Sequence, residues 1–148
     1  MSFLPAGFTP PDPLETPRFR LALLGPQHAA SDYAAWTSSM GFIHRLPGWA
    51  TSTWPLPMTP EANLRDCEEH LRRSRAGLDF AYTVLFPDRE EVVGCVYFRP
   101  PTPPRAGAVE VRSWVTAAHA GLARPLHDAV ERWLREQWRW TDVQYAPR

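Results

Sequence analysis

Sixteen arginines and no lysine stand in this chain of 148 residues, which excludes Schiff-base chemistry and a phosphate loop built on a lysine. The side chains left to do chemistry are two cysteines, five histidines and sixteen carboxylates. Cys67 and Cys95 are far apart with no Cys-x-x-Cys spacing, too little for a disulfide framework or a zinc cluster. Cys95 falls in a β-rich run without a cationic neighbour, so it reads as a small buried hydrophobe and not as an activated nucleophile. His28, His44 and His70 share no metal-ligand spacing, and no metal is expected. His119 precedes a helical stretch, where it faces either a ligand phosphate or solvent. His127 and Asp128 are neighbours on a helix and do not face each other, so they read as surface residues and not as a dyad.

The charge balance narrows the classes. Sixteen arginines offset sixteen acids, for a net charge of zero. A nucleic-acid binder needs a basic surplus to neutralise phosphates, and a polybasic membrane anchor needs the same. Neither partner is expected. No run approaches the length of a membrane span, and the first twenty residues hold five prolines in place of a signal-peptide core. The expectation is a soluble, cytoplasmic protein with one core, since a chain this long buries roughly 70% of its unfolded surface.

The elements that must position these groups follow from periodicity. Residues 1–17 are too proline-rich for a helix or a central strand and read as an arm, whose Phe3, Leu4 and Phe8 can dock on a body or a partner and whose residues 1–13 are expected to be dispensable for the core. Residues 18–148 form the domain. Arg18 to Leu24 alternates as a strand, and Gly25-Pro26 stops it before a helix over Gln27 to Met40. Residues 41–58, broken by Pro47, Gly48, Pro55 and Pro57, read as loop. Thr59-Pro60 caps a helix with Leu64, Cys67 and Leu71 inward, and with Glu61/Arg65, Glu68/Arg72 and Glu69/Arg73 paired outward. Phe80 to Phe86 and Val92 to Phe98 form a hairpin, with Gly94 marking a bulge or a close backbone approach. Val109 to Val115 is a further strand, with Val109, Val111, Ser113 and Val115 on one face and Glu110, Arg112 and Trp114 on the other. Gly121 to about Gln137 is helical again, and Val143 to Ala146 makes a last short strand. Trp133 fits the core stripe, whereas Trp138 and Trp140 share a helix end, so one of them is expected to meet a partner subunit.

Three stretches of this pattern carry a resemblance. They are Leu14-Glu-Thr-Pro-Arg-Phe-Arg-Leu with Leu24-Gly-Pro-Gln-His28, Phe80-Ala-Tyr-Thr-Val with Asp88 and Val92-Val-Gly-Cys-Val-Tyr97, and Val111 to Leu126. Together they resemble the GNAT superfamily of N-acetyltransferases, in the branch that acetylates ribosomal-protein N-termini. The resemblance implies an α/β fold, a mixed but mainly antiparallel sheet flanked by helices. It implies transfer of an acetyl group from acetyl-CoA to an amine, a small molecule or a peptide, by direct attack on the thioester. In the family the strand matching Val111–Val115 splays from its neighbour and offers backbone groups to the pantetheine arm, which points to Trp114 and Val115. A following Q/R-x-x-G-x-G/A loop wraps the pyrophosphate at a helix N-terminus, where free amides and the helix dipole attract anions. Here that string is Ala118-His-Ala-Gly121-Leu-Ala123, which places the cradle on Ala120, Gly121, Leu122, Ala123 and Arg124. The string lacks the leading Gln/Arg, is about two residues shorter than usual, and has lost one N–H to Pro125.

Glu110 matches an acid that some members use as general base for the amine; the alternative is a strand glutamate paired with Arg112 or Arg99. The family continues past the strand at Val143–Tyr145 with a helix and a strand pair. Ending at that strand is expected to leave an edge beside Trp138 and Trp140 that a homodimer buries. A non-catalytic binding protein that keeps the scaffold without the cradle is the alternative function.

Overall fold

The computed structural model describes residues 2–148; Met1, the first residue of the arm, lies outside the described residues. Five strands form one sheet in the order β1-β2-β3-β4-β5: β1 Arg20–Leu23, β2 Phe80–Leu85, β3 Val92–Arg99, β4 Ala108–Val115 and β5 Asp142–Tyr145. The first four pair antiparallel and β5 runs parallel to β4. A parallel neighbour needs a long crossover, which the helix α4, Ala123–Gln137, supplies. This is the mixed, mainly antiparallel α/β sheet that the resemblance implied.

Helices cover both faces, so every residue of β2 is buried and the strand reads as an unbroken apolar run. Under α4 lie Tyr82, Val84, Val96, Phe98, Val109 and Val111, against Leu126, Val130, Trp133 and Leu134 of the helix. The other face carries Cys95, Tyr97 and Trp114 against Trp36 and Cys67, on the helices α1, Ala29–Thr37, and α3, Pro60–Arg75. The β4 alternation therefore holds with both of its faces covered. Gly94 fulfils both expectations at one place. The register with β2 shifts between Val84 and Leu85, and a Cβ on Gly94 would run into the carbonyl oxygen of Trp114.

Several local expectations are corrected. The helix expected over Gln27 to Met40 begins as a 3₁₀ turn, Pro26–His28, continues as α1 and stops at Thr37. A further helix, α2, Met40–His44, occupies part of the stretch read as loop. Leu64 is exposed, because α3 turns Asn63, Cys67 and Ser74 inward in its place. Its ion pairs also differ: Glu69 pairs with Arg72 at 2.6 Å, and Arg73 with Asp79, beyond the helix, at 2.8 Å.

Trp138 and Trp140 are both buried, stacked on each other at 4.8 Å between ring centroids. The arm covers them. Phe3 stacks on Trp140 at 4.8 Å and Phe8 tilts against Trp138 at 5.6 Å, and the Trp140 indole N–H donates to the Phe3 carbonyl at 3.1 Å. The expected contact of one of these indoles with a partner subunit is therefore made by the chain's own arm.

Candidate functional site

The strand β4 is longer than its neighbour. β5 pairs with Ala108 to Val111 alone, so Arg112 to Val115 have no strand partner on that side. In an antiparallel ladder alternate residues point their N–H and C=O to opposite neighbours. The Thr116 N–H donates to the Val93 carbonyl on β3, so Trp114 also faces β3, and Ser113 and Val115 face the open edge. Of the two strand residues expected to serve the pantetheine, Val115 presents its amide there. Trp114 points away, and its buried indole donates to the Tyr97 hydroxyl at 3.1 Å.

The open edge is partly taken by the chain itself. The Ser113 carbonyl accepts from the Trp49 indole N–H at 2.8 Å and from the Arg148 guanidinium at 2.7 Å. The Ser113 hydroxyl lies 2.6 Å from the Tyr145 hydroxyl, and burial pushes the Tyr145 phenol up to about 12. His127 belongs to this group. It is buried, its ring 4.1 Å from that of Tyr145, and its Nδ1 lies 3.3 Å from the Asp128 carboxylate, which corrects both its reading as a surface residue and the expectation that the two side chains do not meet. The apolar stripe of α4 is wide enough to draw in the residue next to Leu126.

Ala120, Gly121 and Leu122 lie in a 3₁₀ segment, Ala117–Leu122, that runs into α4, and Ala123 and Arg124 open α4 itself. Two donors of this stretch are used locally: His119 N–H bonds the Thr116 carbonyl at 3.0 Å and Ala123 N–H bonds that of Ala120. Gly121 has open space where a Cβ would stand, so packing does not require a glycine there. The surface dent at this corner is lined by Arg18, Phe86, His119, Gly121 and Leu122. Arg18 is the cation in its lining; Arg124, three residues after Gly121, is exposed and is not part of that lining. His119 is held by Thr116 at 2.9 Å and packs on Phe86.

Glu110 pairs with Arg112 at 3.2 Å. It stands four residues before Trp114, roughly 13 Å along the strand, and is not brought together with the 3₁₀ corner.

A polar cluster that the residue pattern did not single out lies on the opposite face of the sheet from α4. Asp32, on the inner side of α1, accepts from the Asn63 amide at 3.1 Å and from the Cys67 thiol at 3.8 Å. Asn63 in turn accepts from the Trp36 indole at 3.1 Å. Burial raises the Asp32 carboxyl to about 6, pushes the Cys67 thiol up, and holds His70 below the usual imidazole range. These groups border a cavity of 180 Å³, lined also by Trp49, Trp54, Asp66, Tyr97, Arg99 and Arg112. The available signal was a carboxylate and an amide standing at inward positions of two helices, one turn from Trp36 and Cys67. Cys95 lies beneath them, fully buried, its thiol also pushed up by burial.

No protein-family model and no curated protein sequence matches the chain. Solved structures do. A candidate ribosomal-protein-serine acetyltransferase from Vibrio cholerae superposes with a TM-score of 0.72 at 12% identity, over 93% of this chain and 75% of that one. The ribosomal L7/L12 alpha-N-protein acetyltransferase RimL gives 0.63 at 11%, over 84% and 65%. The microcin C7 self-immunity acetyltransferase MccE, solved with acetyl-CoA and AMP, gives 0.61 at 12%, over 82% and 63%. The chain thus spans about two thirds to three quarters of the length of these proteins. It has the GNAT acetyltransferase fold that the three stretches pointed to.

Proposed function

We propose that the chain is an acetyl-CoA-dependent N-acetyltransferase acting on an amine. The observation that carries this reading is the open edge of β4 beyond Val111, because a strand left unpaired inside a covered sheet offers amides to an extended ligand. Acetyl-CoA enters as substrate. Ser113 and Val115 would bind its amide-bearing arm, with the Val115 N–H aimed at the thioester carbonyl. The dent beside Arg18, His119 and Arg124 supplies the positive charge for its phosphates, with fewer backbone donors than a full cradle. The amine nitrogen bonds to the acetyl carbon, the C–S bond breaks, and the sulfur leaves as the thiol with the proton the amine gives up. Backbone donors that stabilise the developing oxyanion supply most of the acceleration in such a step. For Glu110, roughly 13 Å along the strand from Trp114, to take the first proton from the acceptor's ammonium, its pair with Arg112 must open and water must relay the proton. Buried, unpaired thiols at Cys67 and Cys95 fit a reducing, cytoplasmic setting. Among the described residues no helix is long and apolar enough to cross a membrane.

A second reading has its own observation. The Ser113 carbonyl already holds two donors, as expected of a binding protein that keeps the scaffold without the transfer. A thermal-shift titration with acetyl-CoA separates the two. Ligand at a hundred times its Kd adds about 2.7 kcal/mol, and a domain of this size should melt several degrees higher. A melting temperature unmoved at millimolar acetyl-CoA removes the transferase reading.

A further inference from the structure

We propose that the 180 Å³ cavity under α1 and α3 binds a small zwitterion of the α-amino-acid class, its ammonium held by Asp32 and its carboxylate by Arg99. As a statement of which amine is acetylated, this rests on the transferase reading; as a statement of binding, it stands on the cavity alone.

The cavity is graded from floor to mouth. Asp32, Cys67 and Tyr97 are buried and form its floor, whereas Asp66 and Arg99 are exposed and mark its mouth. Asp32 is only 4% exposed, and among the described residues no cation pairs with it. Its two neutral donors, from Asn63 and Cys67, converge on Oδ2. A buried carboxylate without a counter-charge costs several kcal/mol, and a cation entering the cavity would offset that cost. Two guanidiniums border the cavity, and they are not equivalent. Arg112 is already neutralised by Glu110 and lies over the Trp49 ring. Arg99 has no carboxylate partner among the described residues and rests over the Tyr97 ring at 4.9 Å. Two acids unpaired among the described residues therefore border the cavity, Asp32 at its floor and the solvated Asp66 at its mouth, with one unpaired base, Arg99, at the rim; the buried acid and the rim base match the two charges of a zwitterion.

Size and wall chemistry narrow the class. A space of 180 Å³ holds about six waters at ~30 Å³ each, which suits a single amino acid. The indoles of Trp49 and Trp54, 5.6 Å apart, favour an apolar side chain next to the ammonium. The cavity also shares a wall with the proposed acetyl site, because the Trp49 indole that borders it donates to the Ser113 carbonyl, and Trp54 packs against Trp114 at 6.0 Å.

The test is an NMR titration of the whole chain, reading the tryptophan indole resonances, with L-leucine as probe and no acetyl-CoA present. L-Leucine should shift the Trp49 and Trp54 signals with a saturating curve. N-acetyl-L-leucine, which lacks the ammonium, should bind at least tenfold more weakly. Asp32→Asn should lose tenfold or more for leucine. Arg99→Gln, at an exposed position, should weaken leucine but leave leucine methyl ester, which lacks the carboxylate, unchanged. Absence of any shift with leucine up to ~10 mM, far above the Kd expected of two matched charges, overturns the proposal. So does N-acetyl-leucine binding as tightly as leucine. If Asp32→Asn fails to fold, the Arg99→Gln and methyl ester comparison still decides. Leucine binding without any acetyl-CoA response would keep the cavity and remove the transferase reading; the reverse result would do the opposite.

Discussion

At the scale of single residues, the least comfortable group in the molecule is Asp32. Burial holds its carboxyl at about 6 against an ordinary 3.8, so the folded protein keeps that proton more tightly than the unfolded chain does. The stability it contributes is therefore present at acid pH and is lost as the pH rises through about 6, at most about 3 kcal/mol. His28 and His70 are held low by burial and act in the opposite direction, since acid forces a charge onto them. Asp66 and the Cys67 thiol also face the carboxyl, and the thiol, pushed up by burial, stays neutral over this range. Comparing the wild type with Asp32→Asn cancels the histidine contributions. In urea unfolding at pH 4.5 and 7.5, the stability of Asp32→Asn relative to the wild type should rise by roughly 2 kcal/mol at the higher pH. An equal difference at both values would mean that the carboxyl is not strained by its surroundings. The chain carried only a hint of this, Asp32 standing one turn before Trp36 and Asn63 one turn before Cys67; the pairing itself could not be read until α3 brought Asn63 and Cys67 against the carboxyl.

At the scale of elements, what periodicity could see was the sheet. The runs at β2, β3 and β4 and the stripe of α4 obey simple two-fold and helical repeats, and the glycine at position 94 announced its own close approach. Periodicity could not see where polar positions turn inward, as with Asn63 on α3, nor a five-residue helix, α2, inside a proline-rich stretch. Composition marked the arm and its three docking residues, but not what they dock on. Phe3, Leu4 and Phe8 are half-buried against the core that holds Trp138 and Trp140, so residues 2–13 act as an outer layer of that core. At 1.5–3 kcal/mol for a fully buried apolar side chain, three half-buried ones contribute roughly 3 kcal/mol. Deleting residues 2–13 should lower stability by about that much in denaturant titration while the remainder still unfolds in one cooperative step. It should also bare two stacked indoles, visible as a red shift in tryptophan emission. Unaltered stability and emission would show that the arm merely rests on the surface.

At the scale of the whole molecule, the end of the chain returns to the middle of the sheet. After β5, Arg148 reaches the Ser113 and Pro47 carbonyls at 2.7 and 3.2 Å, tying the last residue to β4 and to the segment after α2. Its guanidinium is held below its usual range by burial, and its partners there are neutral oxygens. This contact sits at the first acceptor of the open edge, where the amide arm of acetyl-CoA would need to bind. A ligand taking that edge must displace Arg148, and the displacement costs about the net value of one charged hydrogen bond, 1.5–3 kcal/mol, less whatever water returns to the freed groups. Arg148→Ala should therefore bind acetyl-CoA more tightly than the wild type, by roughly five- to tenfold, or about 1 kcal/mol after that offset. The same variant should melt slightly lower without ligand, since Ser113 and Pro47 each lose a donor. Equilibrium titration with acetyl-CoA reads the first effect and a ligand-free melt the second. Weaker binding by Arg148→Ala would mean that the guanidinium belongs to the ligand site and not to a contact competing with it, and the open edge would then have to be reassigned with Arg148 as one of its anion-binding groups.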